Sequence, residues 1–233
     1  MIDLRRRGRR PFRIGHRGAA ALAPENTIAS LALAVELGCD LVELDVIAVD
    51  GALVLAHSLE ELRGEPATLD EALAFLAPTG RGIQVDLKAA GIEAAIVEAL
   101  RRHDVVERSL VSTFWPRSLR VLRDLEPELA RGLTYPEDRH GLSTRGILAG
   151  LIRPGLAAMR SVLALRLPRM LAAANANVAV LHLQVVSESV VRRCHALDVP
   201  VLAWTALTSE QVTRLDRLGA DGVIADDPRI LSG

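Results

Sequence analysis

One tyrosine, two tryptophans and three phenylalanines are all the aromatic side chains in this 233-residue chain. That is too few for the stacking platform on which single-stranded nucleic acids are read. Charge does not call for a polyanion either, because 28 Lys plus Arg stand against 29 Asp plus Glu, a formal net charge of -1. A nucleic-acid partner is therefore set aside. Long hydrophobic runs are also missing. No apolar stretch reaches the roughly 18 to 20 residues that span a bilayer, and no apolar segment of the secretory kind follows the basic N-terminus. The chain accordingly reads as cytoplasmic. Cysteine is scarce, and Cys39 and Cys194 lie in apolar periodic segments without metal-type spacing, so both read as reduced core residues. Lysine is scarcer still, since Lys88 is the sole one.

Apolar material is plentiful. Half of the residues are hydrophobic, enough for a full core. Apolar runs of strand length, at 13–15, 41–47, 83–87, 110–113, 130–134, 178–183, 199–204 and 222–225, alternate with amphipathic helical segments. That alternation predicts parallel βα units. About eight strands in a chain near 250 residues match a (β/α)8 TIM barrel forming one domain over residues 13–233, with an open doubly wound sheet as the alternative. Residues 1–12 carry Arg5, Arg6, Arg7, Arg9 and Arg10 and read as a basic, solvated, partly disordered arm. Thr68 to Glu71 and Thr208 to Gln211 have the form of capping boxes, and Gly38 closes a helix begun near Pro24. The rhythm breaks between the fifth and sixth strands, where residues 135–177 form a Leu/Ala/Arg-rich excursion punctuated by Pro154 and Pro168. Two or three short helices are expected there. Arg153, Arg160, Arg166 and Arg169 facing outward would suit a lid or a peripheral membrane contact, and ordinary barrel padding is the plainer reading.

Chemistry-bearing residues fall at strand C-terminal ends, the face on which such barrels build active sites. Gly15-His16-Arg17-Gly18 follows the first strand. Arg17 offers a planar donor fork suited to phosphate and His16 titrates near neutrality, although a His-Arg pair decorating a glycine turn would look the same. Glu43 and Asp45 stand two apart on the second strand and so point to one face, the barrel interior. Buried carboxylates need compensation, either an arginine or a hard divalent cation with oxygen ligands. Asp86 is the third candidate metal ligand. Lys88, on the same face of the third strand, would meet phosphate as a point charge. Asp50-Gly51 forms a hairpin turn whose returning strand ends at His57, placing a second histidine where it can face His16. His103, His140, His182 and His195 lack such partners and read as structural or exposed.

Taken together, Gly15-His16-Arg17-Gly18, Pro24-Glu25-Asn26-Thr27, Glu43-Leu44-Asp45-Val46, Asp50-Gly51, His57, Lys88, Ala203-Trp204-Thr205 and Gly219-Ala220-Asp221-Gly222 resemble, in order, the glycerophosphodiester phosphodiesterase family from the first strand to the C-terminus. The resemblance implies a TIM barrel and a divalent metal, Mg²⁺ or Ca²⁺ with Mn²⁺ as a further choice, held by Glu43, Asp45 and Asp86. It also implies His16 and His57 as acid and base, Arg17 and Lys88 on the substrate phosphate, and Trp204 lining the pocket. The implied reaction converts a small-molecule glycerophosphodiester to glycerol 3-phosphate and an alcohol. In it the substrate's own 2-hydroxyl attacks first and water completes hydrolysis.

Three departures from the family pattern stand out. Asp86 occupies a position usually held by Glu, which retracts the carboxylate by about one bond length. Ser58 follows His57 where the family tends to have Asp. The usual small insertion is reduced to residues 58–67, so the excursion at 135–177 is expected to rebuild the pocket wall. Two other functions stay in view: a phospholipase D-like enzyme acting on lysophospholipids, and a barrel that binds phosphate esters with weakened catalysis. No exterior helix announces an oligomeric surface.

Overall fold

Strands whose residues alternate between two buried faces can be satisfied only by a core on each side, and the chain builds that arrangement as a closed ring. The structure, a computed structural model, describes residues 1–6, 8, 10–62, 64–136 and 149–231, with backbone alone over 149–161. Its strands are β1 (Phe12–Gly15), β2 (Leu41–Val49), β3 (Ala52–Leu55), β4 (Gly82–Leu87), β5 (Ser109–Thr113), β6 (Ala130–Tyr135), β7 (Val178–His182), β8 (Val201–Ala206) and β9 (Gly222–Ala225). All except β3 run parallel, in the order β1-β9-β8-β7-β6-β5-β4-β2, and a β1–β2 pairing closes the eight-stranded barrel. β3 pairs antiparallel with β2 through the two-residue turn Asp50-Gly51, whose φ values of 49° and 84° are the left-handed pair such a hairpin needs.

Helices α1 (Ile28–Glu36), α2 (Leu69–Leu76), α3 (Glu93–Arg102), α4 (Pro116–Leu125), α5 (Ala149–Ala174), α6 (Glu188–His195) and α7 (Ser209–Leu218) follow the strands. Outward residues such as Val42, Leu44, Val85 and Val111 pack beneath them in the larger core. Inward residues Ile14, Leu41, Leu110, Val178 and Leu202 fill the lower barrel. The ring interior is therefore solid below and opens only at the strands' C-terminal ends.

Four local expectations are corrected. The helix expected near Pro24 begins at Ile28, capped by Thr27, whose side chain accepts from Ser30 N. Thr68 and Glu71 form a full capping box, but Gln211 reaches back to Leu207 N rather than to Thr208 N, leaving half a box on α7. Among the described residues of the excursion between β6 and β7, one 26-residue helix runs through both prolines where two or three short helices were expected. Each proline deletes one backbone hydrogen bond, and around Pro168 the buried stripe Leu163, Leu167 and Leu171 holds the helix against the barrel regardless. Arg166 and Arg169 are exposed, whereas Arg153 and Arg160 lie outside the described side chains. The N-terminal arm is anchored rather than solvated. Leu4 is 1% exposed and packs with Ile2 against the barrel floor, while Arg5 pairs with Asp198 and Arg6 with Asp216. Arg7 and Arg9 fall outside the described residues.

Candidate active site

The glycines after β1 are required by space. A Cβ on Gly15 would collide with the carbonyl of Gly18, and one on Gly18, at φ 83°, would collide with Ser30 of α1. The resulting tight turn aims His16 and Arg17 inward. Arg17 itself adopts φ 48°, and its backbone N–H donates to Glu43 Oε2 at 2.7 Å.

His16, Arg17, Glu43, His57, Asp86, Lys88 and Trp204 all line one cavity of about 290 Å³ at the mouth of the barrel. Asp45 lies just behind it, fully buried, and touches three of these residues. Carboxylate oxygens of Glu43, Asp45 and Asp86 lie within 4.8 Å of one another, a group that could hold a metal ion. Asp86 thus joins the cluster despite its shorter side chain. Burial and the neighbouring Asp45 charge push Glu43 up to about 7. Burial would do the same to Asp45, but Lys88, Arg17 and His57 hold it well below the usual carboxylate range. Compensation is therefore uneven, and Glu43 is left short of positive charge. Three converging oxygen donors with an unmet demand for a cation fit a hard divalent ion.

Both cations expected on the substrate phosphate are engaged with carboxylates. Arg17 contacts Asp45 Oδ2 through Nε at 2.8 Å and Glu25 Oε1 through Nη1 at 2.8 Å. Lys88 bridges Asp86 and Asp45, the latter at 3.1 Å, with its Nζ 5.5 Å from the centre of the Phe114 ring. Burial disfavours the charge on each, yet the surrounding carboxylates raise both above their ordinary values.

The two histidines are held by different devices. His57 Nδ1 lies 3.2 Å from Asp45 Oδ2 and 3.0 Å from Arg17 Nη2. His16 Nδ1 lies 2.5 Å from Asp226 Oδ1. Burial lowers the His16 pKa, but Asp226 and Glu43 outweigh that and leave it raised. Asp226 went unrecognised in the sequence, although it follows β9 just as His16 follows β1. Asn26 is a second addition. Its amide donates to Asp45 Oδ2 at 3.2 Å while its carbonyl accepts from Asp45 N at 3.0 Å, a two-point clamp that orients the carboxylate.

Trp204 donates through Nε1 to Val180 O and stands edge-on to His182 and Phe114. The reduced segment after His57 still supplies wall, since Leu59–Glu61 forms a short 3₁₀ turn and Glu61 lines the cavity. A rebuilt wall was expected from the excursion at 135–177, of which residues 137–148, including His140, lie outside the described residues. His103 pairs with Asp70 and His195 with Asp221, and neither lines the cavity.

Comparison with known proteins adds three observations. A model of the Glycerophosphoryl diester phosphodiesterase family matches residues 16–71 and 76–230. The Glycerophosphodiester phosphodiesterase of Caldanaerobacter subterraneus subsp. tengcongensis is 28% identical, the match spanning 94% of this chain and 95% of that one. Among solved structures, an Oleispira antarctica phosphodiesterase in complex with the product sn-glycerol-3-phosphate aligns with TM-score 0.72 and 26% identity over 94% of each chain. A glycerophosphodiester phosphodiesterase from Parabacteroides distasonis shares the fold with TM-score 0.73 at 17% identity, covering 95% of this chain and 96% of that one.

Proposed function

This chain belongs to the glycerophosphoryl diester phosphodiesterase family, enzymes that hydrolyse glycerophosphodiesters, and from that premise we propose that it releases sn-glycerol 3-phosphate and an alcohol in a divalent-cation-dependent reaction with His16 and His57 as proton carriers. The observation that carries this reading is convergence. Both histidines, both phosphate-binding candidates and a cation-seeking carboxylate cluster meet at one cavity. The product bound by the Oleispira antarctica relative supports glycerol 3-phosphate as the released ester.

Glu43, Asp45 and Asp86 would hold the divalent cation, which when bound supplies Lewis-acid withdrawal of charge from the non-bridging phosphate oxygens. The rest of the chemistry belongs to the protein. Asp226 occupies Nδ1 of His16, so Nε2 is the nitrogen that exchanges a proton with substrate. Nδ1 of His57 faces Asp45 and Arg17, which again leaves Nε2 for the reaction. One histidine takes the proton of the attacking glycerol hydroxyl as its oxygen bonds to phosphorus. The other gives a proton to the departing alkoxide oxygen, so charge stays balanced. Water then opens the cyclic diester with the two roles exchanged. Arg17 and Lys88 shift from carboxylate to phosphate partners and share the anion as charge builds on it.

The decisive variant is His16→Ala, measured on a panel of glycerophosphodiesters with Mg²⁺, Ca²⁺ or Mn²⁺ and with chelator. A folded protein without turnover is expected. Wild-type rates in folded His16→Ala, or undiminished activity in chelator, would remove the proposal.

A further inference from the structure

The lining of the cavity holds two polar atoms that the mechanism leaves unused. Gln84 on β4 and Thr134 on β6 both line the cavity and are 1% and 6% exposed. Among the described residues no group bonds Gln84 Oε1 or Thr134 Oγ1. Buried polar atoms are almost always partnered, so two of them on residues lining the same small cavity ask for a ligand.

The orientation of Gln84 follows from its neighbours. Asp86 Oδ1 can only accept, so Ser112 Oγ, 2.6 Å away, spends its single proton on it. Ser112 can then offer Gln84 only a lone pair, and Gln84 Nε2 donates to it at 3.1 Å. Oε1 is thereby left out of the chain of hydrogen bonds, an acceptor awaiting an O–H on a side chain that lines the cavity. Thr134 Oγ1 can both donate and accept.

Depth selects the part of the substrate these atoms would meet. Alternation on β4 places Gln84 one inward step below Asp86, toward the packed layer of Leu110, Ile14 and Leu202. The closed end has room for a fragment of constant, small size, whereas a variable alcohol must extend toward the mouth. Trp204 and Phe114 supply apolar walls for C–H surface.

We infer that Gln84 and Thr134 form a hydroxyl-binding subsite in the cavity lining that takes the terminal free hydroxyl of the substrate's glycerol moiety, leaving the 2-hydroxyl to attack phosphorus. The inference rests on the glycerophosphodiester reading above and deepens it by assigning the residues that recognise the polyol. Gln84 accepts from that hydroxyl and Thr134 exchanges a hydrogen bond with it, so an otherwise similar phosphate ester lacking hydroxyls leaves both atoms unpaired.

The test compares calorimetric binding of sn-glycerol 3-phosphate with that of propyl phosphate, which keeps the phosphate and carbon chain but has no hydroxyl, in the presence of Mg²⁺. Wild-type protein should prefer glycerol 3-phosphate by roughly ten- to a hundredfold. In Gln84→Leu/Thr134→Val that preference should fall to within about threefold through weaker glycerol 3-phosphate binding, with propyl phosphate and inorganic phosphate bound as before. Thr134→Val alone removes an unpartnered atom without changing shape and should fold at least as stably as wild type, so it carries the test if the Gln84 change does not fold. It should lose about two- to tenfold of the preference. A folded variant with the wild-type preference, or a wild type that cleaves glycerophosphodiesters without any preference, overturns the subsite alone. A wild type that neither cleaves them nor binds glycerol 3-phosphate overturns the hydrolase reading as well.

Discussion

Replacing Asp226 by Asn keeps the volume behind His16 and changes only what that position offers. The carboxylate accepts from His16 Nδ1 at 2.5 Å, which fixes the tautomer and leaves Nε2 toward the cavity. An amide can turn its NH₂ group to the ring, favour the opposite tautomer and strand the proton on the wrong nitrogen. Amidating the carboxylate behind a catalytic histidine costs on the order of a hundred- to ten-thousandfold in kcat, with a smaller effect on KM because Asp226 does not line the cavity.

The stability cost is modest. A charge-assisted hydrogen bond is worth roughly 1.5–3 kcal/mol, but the Asp226 side chain is 34% exposed, and screening reduces this to about 1 kcal/mol. For a chain of this size that is roughly 2–4 °C in Tm. The pH dependence has a definite sign. The pKa of His16 is raised in the fold because Asp226 and Glu43 outweigh the opposing effect of burial. The contribution of the bond is therefore fully present below the unfolded histidine value of about 6.5 and is lost as pH rises through the higher folded value. Wild type and Asp226→Asn should differ most in Tm under mildly acidic conditions and converge in alkali. Nitrogen NMR of labelled imidazole reads the tautomer directly. Wild-type kcat with an unchanged His16 tautomer in the variant would refute the reasoning.

Three further outcomes are expected. Leu4→Ala should destabilise the protein by about 2–5 kcal/mol, since Leu4 is 1% exposed beneath the barrel; a chemical denaturation curve matching wild type would show that the arm is dispensable. Burial pushes the Cys39 thiol up to about 11 and, with Asp221, the Cys194 thiol up to about 12, so neither should react with a disulfide reagent at neutral pH until the chain unfolds, and rapid native labelling would contradict this. Mg²⁺ at about a hundred times its dissociation constant should stabilise wild type by about 2.7 kcal/mol, seen as a rise in Tm that Asp45→Asn lacks; equal shifts in both proteins would place the ion elsewhere.

What the sequence makes legible is what depends on local spacing. Glu43 and Asp45 share a face because a strand alternates every second residue, and His57 returns toward them because Asp50-Gly51 allows a two-residue hairpin. The eight-stranded parallel ring follows from the alternation of strand and helix along the chain. What escapes is set by tertiary partners. Pro154 and Pro168 suggest breaks in the excursion, but the helix continues through both, and burial of Leu163, Leu167 and Leu171 carries it past the second. Arginine density around Leu4 masks an apolar anchor. Asn26 sits inside a recognisable motif, yet its grip on Asp45 becomes evident only once α1 is packed against β2. Gln84 shows a free acceptor only after Ser112 has committed its proton to Asp86.

The bond between His16 and Asp226 joins side chains 210 positions apart, each just past the end of a strand, and those strands become neighbours only when β9 docks beside β1. Activity is therefore a reporter of completion. Until β9 is seated, the ring of His16 has no carboxylate to anchor it. During refolding, the return of turnover should consequently lag behind the return of helical signal by the time needed to seat the final strand.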